Sequence, residues 1–252
     1  MEGSLPDMEG GWDAFFDEYY MRTYEPFLTD ERAREETDGA VRLAGIEPGA
    51  EVLDCPCGFA RHAALLASAG YRVTGADRSE TQLAEARRRI GEAEWPRLVR
   101  ADYRELPFAD ASFDAVLNLF TSLGYVGKEG DQGVLRELRR VLRPGGSLVL
   151  ETMHRDRIVK HFTQKGWDEL ADGSYFLQER EWDPVASTVT MRHILVPTGG
   201  EPQEQRIVHR AYSITELVEM LRGAGFGEAE CFGDWEGAGP PSTETRLIVR
   251  AR

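Results

Sequence analysis

Three acidic residues each follow a short apolar run of the kind that forms a buried strand. Asp54, Asp77 and Asp102 stand at the ends of the first three such runs along the chain. In open sheets of alternating strands and helices, ligands bind beyond the carboxyl ends of the strands. A carboxylate there can accept hydrogen bonds from both hydroxyls of a ribose, and another can accept from an exocyclic amine. Together the three acids therefore predict a site for a nucleoside.

Glycine and aromatic residues at the same strand ends add to this prediction. Gly58 lies in the turn after the first strand, before a helix whose first N–H groups lack partners within the helix. Tyr103 offers a ring that can stack on a purine, and Leu119 and Phe120 follow the fourth strand. Singly, a glycine after a strand is usually just a turn, and an acid before a helix is usually just a cap. Their joint placement at successive strand ends is what favours a binding site.

The elements that position these residues alternate between strand and helix. Helices are predicted at residues 30–43, 60–69, 79–90 and 134–142, and strands at 51–54, 71–76, 98–101, 113–118 and 147–152. A last helix at 215–222 and two last strands at 228–232 and 246–251 close the chain. Such alternation predicts an α/β fold, a doubly wound and mostly parallel sheet of seven strands with helices on both faces.

Between the fifth strand and the last helix the pattern changes. Three β-rich segments at 175–182, 188–196 and 205–212 are spaced like an antiparallel meander. We therefore divide the chain into four parts, each with its own expected task. They are an N-terminal helical cap (1–45), an α/β core that binds the cofactor (46–152), an antiparallel β insert that acts as a substrate flap (153–212), and a C-terminal helix with the last two strands, which complete the core (213–252).

Five segments of the chain carry a family resemblance. They are 52–62 (VLDCPCGFARH), 73–77 (VTGAD), 100–102 (RAD), 113–116 (FDAV) and 138–148 (LRRVLRPGGSL). In these segments the chain resembles the class I S-adenosylmethionine-dependent methyltransferases. The first motif of that family has three glycines, of which this sequence keeps Gly58 and has Pro56 and Ala60 at the other two positions. Because S-adenosylmethionine carries no phosphate, one glycine beside its methionine portion suffices.

The resemblance implies roles for the residues around the nucleoside. Asp77 would bind the ribose hydroxyls, and Arg78 would flank the adenine. Asp102 would accept from the adenine amino group, with Tyr103 beside it. S-adenosylhomocysteine would be the product that leaves this site.

The resemblance also implies roles along the methionine portion and at the sulfonium. The residues expected to line these parts of the cofactor are Cys55, Gly58, Leu119 and Phe120. In similar enzymes an N-terminal helix closes the cofactor site, so Tyr20 and Tyr24 would reach the methionine carboxylate. Arg61 is a further candidate for that carboxylate.

The insert is loosely similar to that of small-molecule N-methyltransferases, including those that act on amino sugars. The segment 120–125 (FTSLGY) is similar as well. These features imply a small polar acceptor that is methylated on nitrogen or oxygen. An amine must only be unprotonated, whereas a hydroxyl needs help from a general base.

Histidines and arginines of the second half of the chain could act on the acceptor. His154, directly after the fifth strand, is the best-placed base, although a satisfied or solvent-facing histidine is the commoner case. His193 and His209 in the meander are further candidates. Three arginines could hold an acidic substrate but are more commonly partners in surface ion pairs, and they are Arg155, Arg180 and Arg192.

Composition excludes several classes of function. The net charge of −14 disfavours nucleic acid, which proteins usually bind through a basic surface. No apolar run approaches the roughly 18 residues of a membrane span, and the first residues lack a signal-peptide pattern. Cys55, Cys57 and Cys231 do not have the spacing of a zinc site, so no metal is expected. We therefore expect a cytoplasmic monomer or homodimer, without nucleic-acid or membrane partners.

Alternative functions remain open at the level of sequence. A protein that binds S-adenosylmethionine without catalysis, as a regulator or assembly subunit, would show the same motifs. A nicotinamide dehydrogenase is disfavoured by the missing phosphate-binding glycines and by the Arg143–Gly146 turn. Within methyltransferases, a protein, a peptide or a membrane-bound quinone is a possible acceptor.

Overall fold

The computed structural model describes residues 15–16, 18–24, 27–91 and 93–252. Within these residues the helices are α1 (Glu18–Tyr24), α2 (Asp30–Ala44), α3 (Arg61–Ser68), α4 (Glu80–Ile90), α5 (Gly127–Val141), α6 (Arg155–Lys160) and α7 (Ile214–Gly223). The strands are β1 (Glu51–Asp54), β2 (Arg72–Asp77), β3 (Arg97–Arg100), β4 (Phe113–Asn118), β5 (Leu142–Thr152), β6 (Lys165–Glu169), β7 (Tyr175–Asp183), β8 (Thr188–Val196), β9 (Gln203–Arg210), β10 (Ala229–Phe232) and β11 (Leu247–Ala251). No helix in this part of the chain is long and apolar enough to cross a bilayer.

Seven strands form the main sheet, in the order β10-β11-β5-β4-β1-β2-β3. The five strands from β1 to β5 pair in parallel, and β11 runs antiparallel to both β5 and β10. Strand order reverses at β1, since β2 lies on one side of it and β4 on the other. The loops after β1 and β4 therefore diverge and open a crevice at the carboxyl edge of the sheet. The predicted fold class is confirmed.

Both faces of this sheet are buried under helices. Neighbouring residues of one strand enter opposite clusters: Leu53 packs with residues of α5 and α7, whereas Val52 packs with residues of α2, α3 and α4. Leu148 and Val149 divide in the same way. Strands covered on both faces read as continuous apolar runs, which is why the core strands could be recognised from sequence.

The helix ends of the core follow local rules of capping. The Thr29 and Ser79 side chains accept from the N–H groups of Arg32 and Gln82, three residues on. Gly45 ends α2 in the left-handed region at φ 68°, where a residue with a Cβ is strained. These caps fix α2 and α4 at the expected residues, whereas α5 begins at Gly127, seven residues before the predicted start.

The insert forms a separate antiparallel sheet in the order β6-β7-β8-β9. Strands β7 and β8 lie where they were predicted, and β9 ends two residues early, at Arg210. Strand β6 was not predicted, because its sequence Lys165-Gly-Trp-Asp-Glu169 has no apolar alternation and its Trp167 is 65% exposed.

The start of β5 also differs from the prediction. The strand begins at Leu142 instead of residue 147, because Leu142 already pairs with Phe113 and the register shifts before Ser147 pairs with Ala115. Gly145 takes φ 81°, and a Cβ on Gly146 would lie 2.9 Å from the Asp114 carbonyl oxygen. The two glycines therefore allow this irregular turn to stay beside β4.

The insert and the N-terminal helices share an apolar cluster above the sheet edge. It contains Phe15 and Tyr20 from the N-terminal part, and Val189, Met191 and Ile207 from β8 and β9. Packing of these side chains positions the insert over the crevice.

Candidate cofactor and acceptor site

A cavity of about 940 Å³ lies at the carboxyl ends of all five parallel strands. Its wall continues from the loops of the core to α1 and to the inner face of the insert. Ten of the residues predicted to contact a cofactor lie on this wall, namely Tyr20, Tyr24, Cys55, Gly58, Arg61, Asp77, Arg78, Tyr103, Leu119 and Phe120. The cavity thus brings together residues from the carboxyl ends of four strands and from two helices, α1 and α3.

Asp77 is fixed by backbone groups at the end of β2. Its two carboxylate oxygens accept from the N–H groups of Gly58 and Ser79, each at 2.8 Å. Burial raises the pKa of this carboxyl, and the backbone N–H groups of Ser79, Gly58 and Arg78 oppose that rise. The Gly58 contact ties the turn after β1 to the end of β2. Asp77 is therefore held in place with oxygen lone pairs left for hydroxyl donors.

Asp102 does not line the cavity, although its neighbours Ala101 and Tyr103 do. Its carboxylate accepts from Arg104 Nη2 at 2.7 Å, and Arg78 Nη1 lies 3.4 Å away. Burial raises its pKa, but hydrogen bonds from Arg104 and the charges of both arginines bring the pKa below its usual range. The expected contact with an adenine amino group stays a prediction.

Tyr20 and Tyr24 stack face to face on the wall. Their ring centroids are 4.6 Å apart and the planes meet at 22°. Burial raises the pKa of both phenols, that of Tyr24 to about 12. Both hydroxyls therefore stay protonated at neutral pH and can donate hydrogen bonds to an anion.

Arg61 is oriented by a buried carboxylate that the sequence reasoning missed. Glu36 of α2 is fully buried, and its oxygens lie 2.6 Å from Arg61 Nη1, 2.9 Å from His62 Nε2 and 2.7 Å from Arg32 Nε. Burial raises the pKa of Glu36, but hydrogen bonds and charges of these partners, His62 first, lower it well below its usual range.

Among the residues that the structure describes, the other terminal nitrogen of Arg61 has no hydrogen-bond partner. Its Nη2 is buried without a hydrogen bond, on a residue that lines the cavity. A carboxylate is the group that best satisfies a buried guanidinium N–H. This unpaired N–H donor fits the role that the resemblance implies for Arg61, which is to bind the methionine carboxylate of the cofactor.

Phe120 is held at the junction of the core and the insert. Phe120 and Thr121 adopt φ values of 58° and 57°, a left-handed conformation that is strained for both residues. The guanidinium carbons of Arg32 and Arg61 each lie 4.7 Å from the Phe120 ring centroid. The Phe120 N–H donates to Glu151 Oε2 at 3.0 Å. These contacts stabilise the strained turn and set the position of the ring.

Among the described residues, Gln82 Oε1 and Asp54 Oδ2 are buried near the cavity without a hydrogen-bond donor. Gln82 Oε1 belongs to a residue on the wall, and Asp54 Oδ2 lies behind it at the end of β1. Burial raises the pKa of Asp54 to about 7. The positive charge of Arg61 opposes this rise, and the negative charge of Asp77 adds to it. Gln82 Oε1 can accept from an N–H or O–H donor of a bound molecule.

The three candidate histidine bases lie outside the cavity wall. His154 is buried, and neither ring nitrogen has a hydrogen-bond partner in the part of the chain that the structure describes. His209 Nε2 lies 3.1 Å from the carbonyl oxygen of Thr121, and His193 is enclosed by the rings of Phe15 and Phe176. Burial lowers the pKa of His193 and of His209 to about 4, so both are neutral at pH 7. The role of His154 as a base stays a prediction that the geometry does not support.

The end of the cavity beneath the insert has apolar walls with a few polar groups. Tyr125 and Met153 close it from the core, while Phe176 and Met191 come from the inner face of the insert. Arg180 of β7 lies on the same wall. This end is suited to a small molecule with an apolar body.

Comparison with known proteins identifies a methyltransferase domain. Residues 52–146 match the model of a methyltransferase domain. The chain is 27% identical to a putative methyltransferase, YqeM of Bacillus subtilis, over 83% of this chain and 86% of that protein. The chain therefore carries a methyltransferase domain of the S-adenosylmethionine-dependent type.

A second relative matches this methyltransferase over a shorter stretch. It is a demethylmenaquinone methyltransferase of Clavibacter sepedonicus, 37% identical over 60% of this chain. The match spans 61% of that relative's own length.

Two solved structures share the fold of the methyltransferase over nearly its whole length. The CcbJ methyltransferase of Streptomyces caelestis superposes with a TM-score of 0.78 at 24% identity, covering 92% of this chain and 95% of that one. CalS10, an amino pentose methyltransferase of Micromonospora echinaspora, superposes with a TM-score of 0.71 at 21% identity, covering 93% and 97%. At such identities the likeness establishes the fold.

The cofactor of the methyltransferase is S-adenosylmethionine. It supplies a methyl group on a positively charged sulfur, which departs as a neutral thioether. The donor set of the cavity fits this molecule, since Asp77 offers acceptors for hydroxyls and Arg61 an unpaired donor for a carboxylate. Gly58 adopts φ 53°, and a Cβ added there would make an ordinary van der Waals contact with Gln82 Oε1 at 3.6 Å.

Proposed function

We propose that this methyltransferase moves the methyl group of S-adenosylmethionine to a nitrogen atom of a small polar acceptor. The acceptor binds between the core and the insert, and residues 153–212 act as a flap over it. The observation that carries this proposal is the continuity of the cavity from the Asp77 and Arg61 end to Phe176 and Met191.

The residues of the core hold the cofactor in this proposal. Asp77 accepts from the ribose hydroxyls, and Arg61 with Tyr20 and Tyr24 donates to the methionine carboxylate. The turn at Gly58 leaves room beside the methionine chain. The further expected contacts come from residues at the ends of β1, β3 and β4, namely Cys55, Arg78, Asp102, Tyr103, Leu119 and Phe120. Positioning and the exclusion of water then supply most of the rate, because the leaving group is neutral.

A nitrogen acceptor suits the wall better than a hydroxyl. A hydroxyl needs a general base near neutral pKa, whereas an unprotonated amine brings its own lone pair. Among the described residues on the wall, His62 is the one imidazole, and it is bound to Glu36 with its pKa lowered to about 4 by burial. The phenols of Tyr20 and Tyr24 are too weakly acidic to serve as bases. The shared fold with an amino pentose methyltransferase further supports an amine.

The test is a methyl-transfer assay with matched acceptors. Purified protein and S-adenosylmethionine are incubated with small primary amines and with the alcohols of the same carbon skeleton. Release of S-adenosylhomocysteine and the mass of the product are measured together. We expect methylated amines and no methylated alcohols, with Asp77→Ala abolishing turnover.

Two outcomes would contradict the proposal. Methylation of alcohols in preference to amines would assign the enzyme to O-methylation and renew the case for a base such as His154, to be tested with His154→Gln. Micromolar binding of S-adenosylmethionine that Asp77→Ala weakens, with no acceptor methylated, would favour the alternative of a binding protein without catalysis.

A further inference from the structure

The three arginines that could hold an acidic substrate differ in what surrounds them. Arg192 is paired on the outer surface with Glu179 at 2.9 Å and with Glu204 at 2.7 Å. Arg155 is paired with its neighbour Asp156 at 2.8 Å. Two of the three candidates are therefore surface ion pairs.

Arg180 lies on the cavity wall without an acidic partner. Within the part of the chain that the structure describes, no carboxylate oxygen lies within 4.0 Å of its guanidinium. It donates instead to two neutral oxygens, the side-chain Oε1 of Gln178 and, at 3.4 Å, the carbonyl oxygen of Thr163. A half-buried cation that is satisfied only by neutral acceptors favours a bound anion.

Gln178 keeps the guanidinium apart from the acid on the same wall. The Gln178 Nε2 donates to Asp168 Oδ2 at 3.0 Å, while its Oε1 accepts from Arg180. The amide therefore orients Arg180 without neutralising it. The positive charge of Arg180 also acts on the interior of the site. Burial raises the pKa of Tyr24, and Arg180 opposes that rise. Burial lowers the pKa of His193, and Arg180 lowers it further.

The surroundings of Arg180 indicate the body of the anion. Phe176, Met191 and Tyr125 present apolar surface to the same end of the cavity. A second arginine, Arg157, lies at the exposed rim and donates to the Glu244 carbonyl oxygen at 3.4 Å. In a chain of net charge −14, two arginines facing one cavity without carboxylate partners among the described residues form a local site for negative charge.

We infer that the methyl acceptor carries a carboxylate on an apolar body, and that Arg180, held by Gln178, binds this carboxylate beneath the insert. The inference rests on the proposed function, since it names the chemical class of the acceptor. Arg180 is a specificity-determining residue that contacts the acceptor at a distance from the reacting nitrogen.

A binding experiment tests the carboxylate site without any turnover. The full chain, saturated with S-adenosylhomocysteine, is titrated calorimetrically with benzoate and with benzamide, which have the same shape and differ in charge. We expect benzoate to bind at least about tenfold more tightly, as a charge-assisted hydrogen bond to a guanidinium implies. Arg180→Gln should abolish the difference, Arg180→Lys should keep part of it, and the control Arg192→Gln should leave it unchanged.

Thermal unfolding of each variant shows that the protein is folded before titration. Equal binding of benzoate and benzamide by the native protein, or a preference that survives in folded Arg180→Gln, would overturn the inference.

The failure of the inference is distinct from the failure of the proposed function. The amine assay is repeated with amino acids and their carboxamides, and the preference is expressed as a ratio of KM values. Methylation of both sets with equal KM would overturn the carboxylate site and leave N-methylation standing. Benzoate binding through Arg180 without methylation of any amine would keep the site and overturn the proposed function.

Discussion

The two ends of the cavity are held in place by different kinds of contact. At the core end, the Asp77 carboxylate accepts hydrogen bonds from the backbone N–H groups of Gly58 and Ser79 at the tips of parallel strands. At the insert end, Phe176 and Met191 are positioned by apolar packing against the N-terminal helices. Backbone N–H donors at strand ends stay in place when neighbouring side chains change, so one carboxylate is enough to complete this end, whereas a packed surface can be altered one side chain at a time. The core end can therefore keep a single cofactor, while the insert end is free to suit different acceptors.

The largest expected effect on stability comes from replacing Glu36, the buried carboxylate of α2 that pairs with cations of the core. Replacing Glu36 by Gln leaves Arg61, Arg32 and His62 without their carboxylate. We expect a loss of about 3–5 kcal/mol in the free energy of unfolding, measured with urea, because buried cations lose their partner.

The matched control for Glu36 is an exposed acid of the insert. Glu204→Gln breaks a pair with Arg192 in which both side chains are almost half exposed, so the loss should stay below about 1 kcal/mol. An equal loss of unfolding free energy in the two variants would contradict the difference between the buried charges of the core end and the exposed charges of the insert.

Arg61 gives the next largest effect, on cofactor binding. Arg61→Gln removes the unpaired Nη2 donor, and we expect the Kd for S-adenosylmethionine to rise about tenfold to hundredfold. Arg61→Lys should recover part of this loss, since it keeps the charge without the planar fork. Calorimetric titration measures both, and an unchanged Kd in Arg61→Gln would remove this residue from the cofactor end.

Asp54 makes stability depend on pH in a defined direction. Its pKa is raised by burial from 3.8 to about 7, so the folded protein holds a proton that the unfolded chain releases between these values. This group therefore makes stability fall as pH rises from about 4 to about 7.

Asp54→Asn removes that contribution. We expect the variant to be more stable than the native protein at pH 8, by about 1–2 kcal/mol, and the gain to disappear towards pH 4. Chemical unfolding at a series of pH values measures the difference between the two proteins. A gain in stability that is larger at pH 4 than at pH 8 would contradict a raised pKa for Asp54 in the folded protein.

The smallest expected effect comes from Met191, which tests whether the insert end affects acceptor binding alone. Met191→Ala shortens an apolar side chain on the acceptor wall, so the KM for the amine should rise severalfold, by about 1 kcal/mol of binding. The Kd for S-adenosylmethionine should stay unchanged. A variant in which both constants change equally would show that the two ends do not act separately.

The core and its site could be predicted because their rules are local. Asp77 and Gly58 were found from their place after apolar runs, and the helix caps from residues three positions apart. Asp102 was found in the same way, but its capture by Arg104, two residues on, depends on side-chain geometry that the rule of strand ends does not include.

The remaining parts of the site depend on contacts between distant residues. Glu36 meets Arg61 of α3 and, at 3.1 Å, Arg246 near the end of the chain, and nothing in the sequence of α2 indicates these partners. The neutral surroundings of Arg180 follow from the register between β6 and β7, and β6 itself lacks an apolar pattern. His154 was favoured for its place after β5, but its side chain is buried behind the wall.

The most direct test of the account is a calorimetric titration with S-adenosylmethionine of the native protein, Asp77→Ala and Met191→Ala. We predict micromolar binding by the native protein and by Met191→Ala, and a Kd raised at least about hundredfold in Asp77→Ala, where hydrogen bonds to an ionised group are lost. Binding that is absent from the folded native protein, or that Asp77→Ala leaves unchanged, would contradict the assignment of the cofactor to the core end of the cavity.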